Sequence, residues 1–123
     1  NGGYIGFMSL RKRIANNLDR EFGEHYATLT KCSSSEDYDA FDKKSNEIIE
    51  RKQLDDDVLD FLFASDCEGK INHKTCKKIY EIIKDDNEPL IFTYAAYSDG
   101  KDFENFKNFL IECYSRRRNM VWW

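Results

Sequence analysis

Phe7, Leu10, Ile14, Leu18 and Phe22 recur at intervals of three and four residues, which places all five on one stripe of a helix. The same spacing returns in Tyr38, Phe41, Ser45, Ile48 and Ile49, in Val58, Leu59, Leu62 and Phe63, and in Cys76, Ile79, Tyr80 and Ile83. It appears once more in Phe103, Phe106, Leu110, Cys113 and Tyr114. One Pro and 6 Gly are all that interrupt 123 residues, so little in the chain opposes helix. These patterns predict a mainly α fold, a compact bundle of five to six short helices in a single domain spanning 1–123.

Local signals set the expected ends. Gly23 suits a left-handed residue closing the first helix, and a weaker helical segment runs from Glu24 to Lys31. Ser33-Ser34-Ser35 supply a cap for the next helix, with Glu36 and Asp37 near its positive end, and that helix ends near Lys52. Asp55 opens a helix to about Ala64, Asn72 caps another, and Asp102 leads into the last. Pro89 begins a short helix over Leu90–Tyr97. Met120-Val121-Trp122-Trp123 is too apolar for a loose tail and is expected to dock as a short strand beside Lys70-Ile71 or Tyr4-Ile5.

Charge and thiols bound the function. Charged residues are 34% of the chain, yet 41% are hydrophobic and 15% aromatic, enough to fill a core. The net charge of −4 argues against a general nucleic-acid binder. The runs Arg11-Lys12-Arg13, Glu36-Asp37-Tyr38-Asp39, Asp55-Asp56-Asp57, Asp85-Asp86 and Arg116-Arg117-Arg118 read as solvated helix faces or ends. Four Cys at 32, 67, 76 and 113 are too sparse for a disulfide scaffold and read as free thiols of a cytoplasmic protein. No apolar stretch approaches the ~20 residues of a membrane span.

The segment from Phe61 to Cys76 has the outline of a calcium-binding EF-hand: helix, acidic loop with one Gly, apolar residue, helix. With Gly69 at the sixth loop position, Ala64 falls first and Thr75 twelfth, where calcium requires carboxylates. Asp66 and Glu68 are too few hard oxygens, so the loop reads as a degenerate one whose acids accept hydrogen bonds from loop amides. Cys67, His73 and Cys76 are the residues that would hold zinc if any metal is bound, although Cys76 also lies on an apolar stripe. Neither His25 nor His73 is paired locally with a thiol, and no nucleophile elbow, phosphate loop or zincin motif is present. No catalytic residue and no cofactor are therefore assigned.

Phe61-Leu62, the Ser65-Asp66-Cys67-Glu68-Gly69-Lys70-Ile71 loop and the closing Thr75-Cys76 resemble a group of small uncharacterised bacterial and phage proteins, which carry a Ser-Asp-Cys-Asp-Gly loop ahead of a Cys-containing helix. The likeness extends to Gly6-Phe7 before a basic helix and to the Val121-Trp122 end. The chain departs from the group at Phe63-Ala64, where an Asn-His pair is usual. The resemblance implies a cytosolic protein of bacterial, phage or mobile-element type and nothing about reaction chemistry.

With 18 aromatic residues and no catalytic motif, the expected role is non-enzymatic: binding and regulating another protein, as in toxin immunity or counter-defence. Tyr4, Tyr26, Tyr94 and Tyr97 are required by no helical stripe; of these Tyr94 and Tyr97, with Trp122 and Trp123 and with Asp66, Glu68 and Asn72 of the central loop, are the candidate contact residues. The rival is a metal-binding protein or metal-dependent enzyme built on Asp66–Cys76. A third expectation is nucleic-acid contact through Arg116 to Arg118.

Overall fold

A computed structural model describes residues 4–64, 69–88 and 102–122. Its elements are α1 (Tyr4–Leu18), α2 (Arg20–Tyr26), a 3-10 turn (Ala27–Lys31), α3 (Ser35–Lys52), α4 (Asp56–Phe63), β1 (Gly69–Ile71), α5 (His73–Ile83), α6 (Asp102–Ser115) and β2 (Met120–Trp122). The fold is mainly α, as the periodicity requires. The helix expected over Leu90–Tyr97 lies outside the described residues.

The first stripe belongs to two helices, not one. Asp19 adopts an extended conformation (φ −163°, ψ 130°), and its carboxylate accepts a 2.9 Å hydrogen bond from the Phe22 amide, capping α2. A short acidic side chain that satisfies a new helix start competes with continuing the old one. Both helices turn their apolar residues to the same interior, so the stripe crosses the break undisturbed. Leu10, Ile14 and Phe22 are buried and Leu18 packs on the core.

Gly23 therefore lies inside α2, not at a helix end. A Cβ there would stand 2.2 Å from Asn16 Oδ1 and 2.6 Å from Asn16 Cα, so the missing side chain is what lets the two helices approach.

Three caps follow their sequence signals. Ser34 and Asp37 form a reciprocal capping box on α3. Asp55 accepts from the Asp57 and Val58 amides at α4, and Asn72 accepts from the Thr75 amide at 2.9 Å at α5. Two helices end on left-handed residues that are not Gly, Gln53 after α3 (φ 51°) and Arg117 after α6 (φ 54°). At Arg117 the amides of Arg118 and Arg117 return to the carbonyls of Cys113 and Tyr114, a Schellman closure.

The core joins all six helices, α3 through Ile48, with Tyr26, Phe61, Ile79, Ile83, Phe103 and Leu110 fully enclosed. A buried side chain of this size contributes roughly 1.5–3 kcal/mol. The C-terminal segment docks as a strand: β2 runs antiparallel to β1, Ile71 facing Met120 and Gly69 facing Trp122. Ile71 and Met120 are both buried, so this small ladder closes one side of the core.

The basic run near the N-terminus is not a solvated face. Arg11 is only 3% exposed, with its guanidinium 5.6 Å from the Phe61 ring centroid. Arg13 donates to both carboxylate oxygens of Asp86 at 3.2 and 3.3 Å, and Asn17 donates to the same carboxylate at 2.7 Å. Lys107, also buried, donates to the Asp86 carbonyl at 2.9 Å. Asp86 thus ties α1 and α6 to the end of α5, which the stripes alone did not show. Arg116 to Arg118, by contrast, are exposed.

Candidate functional site

Two surface features could meet a ligand or partner. The first is a cleft of about 520 Å³ between α2, the 3-10 turn and α3, lined by Glu21, His25, Cys32, Asp37, Phe41 and Lys44 among others. His25 forms its floor. The imidazole stacks on Phe41 with centroids 4.3 Å apart, and its Nε2 lies 2.7 Å from Ser45 Oγ and 3.2 Å from the Phe41 carbonyl.

That carbonyl can only accept, so its contact with Nε2 is a hydrogen bond in the tautomer with the proton on Nε2. The Ser45 hydroxyl in turn donates to the Phe41 carbonyl at 2.8 Å. Together these contacts among His25, Ser45 and the Phe41 carbonyl tie α2 to α3. Burial holds the His25 pKa below its usual value, with the Phe41 carbonyl opposing and Lys44 assisting.

Phe63, the last residue of α4, is 44% exposed and reaches the cleft's lining through its ring contact with Phe41. Its ring meets those of Phe22, Tyr26 and Phe41 edge-on, with centroids 6.2, 5.8 and 6.5 Å away. Phe22, Tyr26 and Phe41 are buried, and the Tyr26 hydroxyl donates to the Leu62 carbonyl at 2.6 Å. An apolar ring is thus presented to solvent on a rigid aromatic base.

The second feature is a groove of about 810 Å³ between the first turns of α5 and the end of α6, with His73, Lys74, Lys77, Lys78, Tyr114 and Arg117 on its walls. Lys77 rests 5.0 Å from the Tyr114 ring centroid, and the His73 ring lies 6.4 Å from the same ring. Lys78 is held by Asp55 at 3.1 Å and Asp57 at 2.7 Å.

The structure separates the residues singled out in the central segment. His73 faces the groove, whereas Cys76, three residues on, is fully buried and hydrogen-bonded to Cys113. Burial, with Cys113 beside it, pushes the Cys76 thiol up to about 12, far from the thiolate that metal binding needs. Among the described residues no three His, Cys, Asp or Glu are grouped to hold a metal. Asn72 is spent on capping α5. Asp66, Cys67, Glu68, Tyr94, Tyr97 and Trp123 lie outside the described residues, and Trp122 is described only by its backbone pairing with Gly69.

Sequence periodicity placed Tyr38 on a buried face, but it is 47% exposed. It sits in the first turn of α3, ahead of the stretch where Phe41, Ser45 and Ile48 meet the body. The tie between His25 and Ser45 was missed. Its signal was a polar residue, Ser45, inside an otherwise apolar stripe, which requires a buried partner.

No family model, curated protein or solved structure matches the chain. No helix among the described residues is long and apolar enough to cross a membrane.

Proposed function

We propose that the chain is a non-enzymatic protein-binding module of the bacterial or phage cytoplasm, one that neutralises or regulates a partner in the manner of an immunity or counter-defence protein. The observation carrying this is Phe63, a large apolar ring left 44% exposed although buried aromatics fix its position. A side chain already immobilised loses little entropy on binding, so most of the gain from covering it is kept. The cleft that Phe41 shares carries Glu21, Asp37 and Lys44, the mixed charge usual at the rim of protein interfaces. Free thiols at Cys32, Cys76 and Cys113 fit a reducing compartment.

Affinity purification from the native host with wild type and Phe63→Glu tests this. Wild type should recover one protein in stoichiometric amount and the variant should lose it, while both melt at similar temperatures. Recovery of no partner, or equal recovery by the variant, would refute the assignment.

A further inference from the structure

The groove between α5 and α6 lies apart from the Phe63 surface and has its own chemistry. Lys77 and Lys78 are engaged within the molecule, Lys77 over Tyr114 and Lys78 with Asp55 and Asp57. Lys74 and Arg117 are not: both are exposed, and among the described residues neither side chain has an ion-pair or hydrogen-bond partner. Arg117 also occupies a left-handed position (φ 54°) that Gly would hold without steric cost. A cation at this end of α6 also meets the helix dipole, but the left-handed backbone itself would be better served by Gly. What the guanidinium adds is positive charge at the groove.

The rims bound this positive strip. Asp55 and Asp57 stand at the Lys78 end, and Glu112 pairs with Arg116 at 3.4 Å on α6. The whole chain carries a net charge of −4. A nucleic-acid strand, with a charge at every step, would run from the strip into these carboxylates and an anionic body. A short polypeptide can put carboxylates opposite the strip and place neutral or basic residues over the rims.

We propose that this groove docks a short acidic segment of a partner protein, with Lys74 and Arg117 receiving its carboxylates. The proposal goes beyond the Phe63 surface and stands or falls without it. Fluorescence anisotropy of the full chain with a labelled Glu/Asp-rich peptide tests it, alongside the Gln/Asn counterpart and an oligo-dT of similar length. The acidic peptide should bind saturably at low salt and more weakly at physiological salt, and the Gln/Asn peptide should not bind. Lys74→Glu/Arg117→Glu should weaken binding by about tenfold or more. Lys74→Gln/Arg117→Gln should give a smaller loss, and Phe63→Glu none. Three results would overturn the proposal. One is affinity for the acidic peptide equal in wild type and both double variants, or absent from wild type. A second is tighter binding of oligo-dT than of the peptide, which assigns the groove to nucleic acid. The third is self-association of wild type that the double variants abolish, which assigns it to a second copy of the chain.

Discussion

The seam between α2 and α3 and the groove between α5 and α6 are both rich in charge, but they use it differently. At the seam Arg51 pairs with Glu21 and Glu47, and Lys52 with Asp19 at 3.0 Å and Glu21 at 3.3 Å. The pairs with Asp19 and Glu21 set cations at the end of α3 against acids at the start of α2, so they also answer both helix dipoles. Arg51 draws the Glu21 carboxyl down to about 2. In the groove Lys74 and Arg117 find no such acid among the described residues. Charge that is answered internally fixes the position of helices, whereas unanswered charge is available to something else.

The largest effect should come from the close approach of α2 to α1, on the other side of α2 from the seam's ion pairs with α3. Gly23→Ala puts a methyl against the backbone of Asn16, at 2.6 Å from Cα and 2.8 Å from N, and helices cannot yield as a side chain does. Equilibrium urea unfolding should show a loss of about 3 kcal/mol. A variant as stable as wild type would mean that α1 and α2 do not pack in this way.

Asp86→Ala comes next. The carboxylate is only 14% exposed and serves Arg13 and Asn17 together. Its removal takes the carboxylate from a partly buried guanidinium, which keeps its 3.0 Å bond to the Glu88 carbonyl. The same unfolding measurement should register about 2 kcal/mol. A loss no larger than that of an exposed-acid variant such as Glu47→Ala would return Asp86 to the solvated surface.

Third is the response to acid. His25 has a folded pKa below its ordinary 6.5 because burial disfavours the imidazolium. On acidification the unfolded chain takes up this proton first. The His25 contribution is therefore complete above 6.5 and falls away as pH drops below it, toward the folded value. Thermal melts between neutral and mildly acidic pH should show a decline that His25→Gln makes shallower. An NMR titration in which His25 ionises at or above its ordinary value would remove this account of the seam.

The mainly α fold, three caps and the docked C-terminal strand were legible, because each depends on residues close in sequence or on simple apolar character. Ser34, Asp55 and Asn72 announce their helices by side-chain chemistry alone. What escaped depends on partners far apart in the chain. Arg13 and Asp86 are 73 residues apart, and His25 and Ser45 are 20 apart. Each looks like a surface residue until its partner is known. The stripe through Phe22 hid the break at Asp19 for a related reason: periodicity records which residues face the core, not how many helices carry them. The groove was half visible, since the run at Arg116–Arg118 stood out while its counterpart on α5 is spread as Lys74, Lys77 and Lys78 among apolar positions.

The smallest expected effect separates the seam from the groove most cleanly. Gln53 ends α3 at the seam and Arg117 ends α6 at the groove, and both hold the left-handed conformation at almost the same φ, 51° and 54°. Relief of the Cβ clash favours Gly at each site, partly offset by the greater freedom of Gly in the unfolded chain. Gln53→Gly and Arg117→Gly should therefore each gain about 0.5 kcal/mol in equilibrium unfolding. Their consequences for binding should diverge. Gln53→Gly should leave affinity for the acidic peptide unchanged, while Arg117→Gly should reduce it although the protein has become more stable. Equal behaviour in both assays would show that Arg117, like Gln53, merely ends a helix. A stabilised protein with a weakened groove would show that Arg117 is kept at a local cost for the charge it carries.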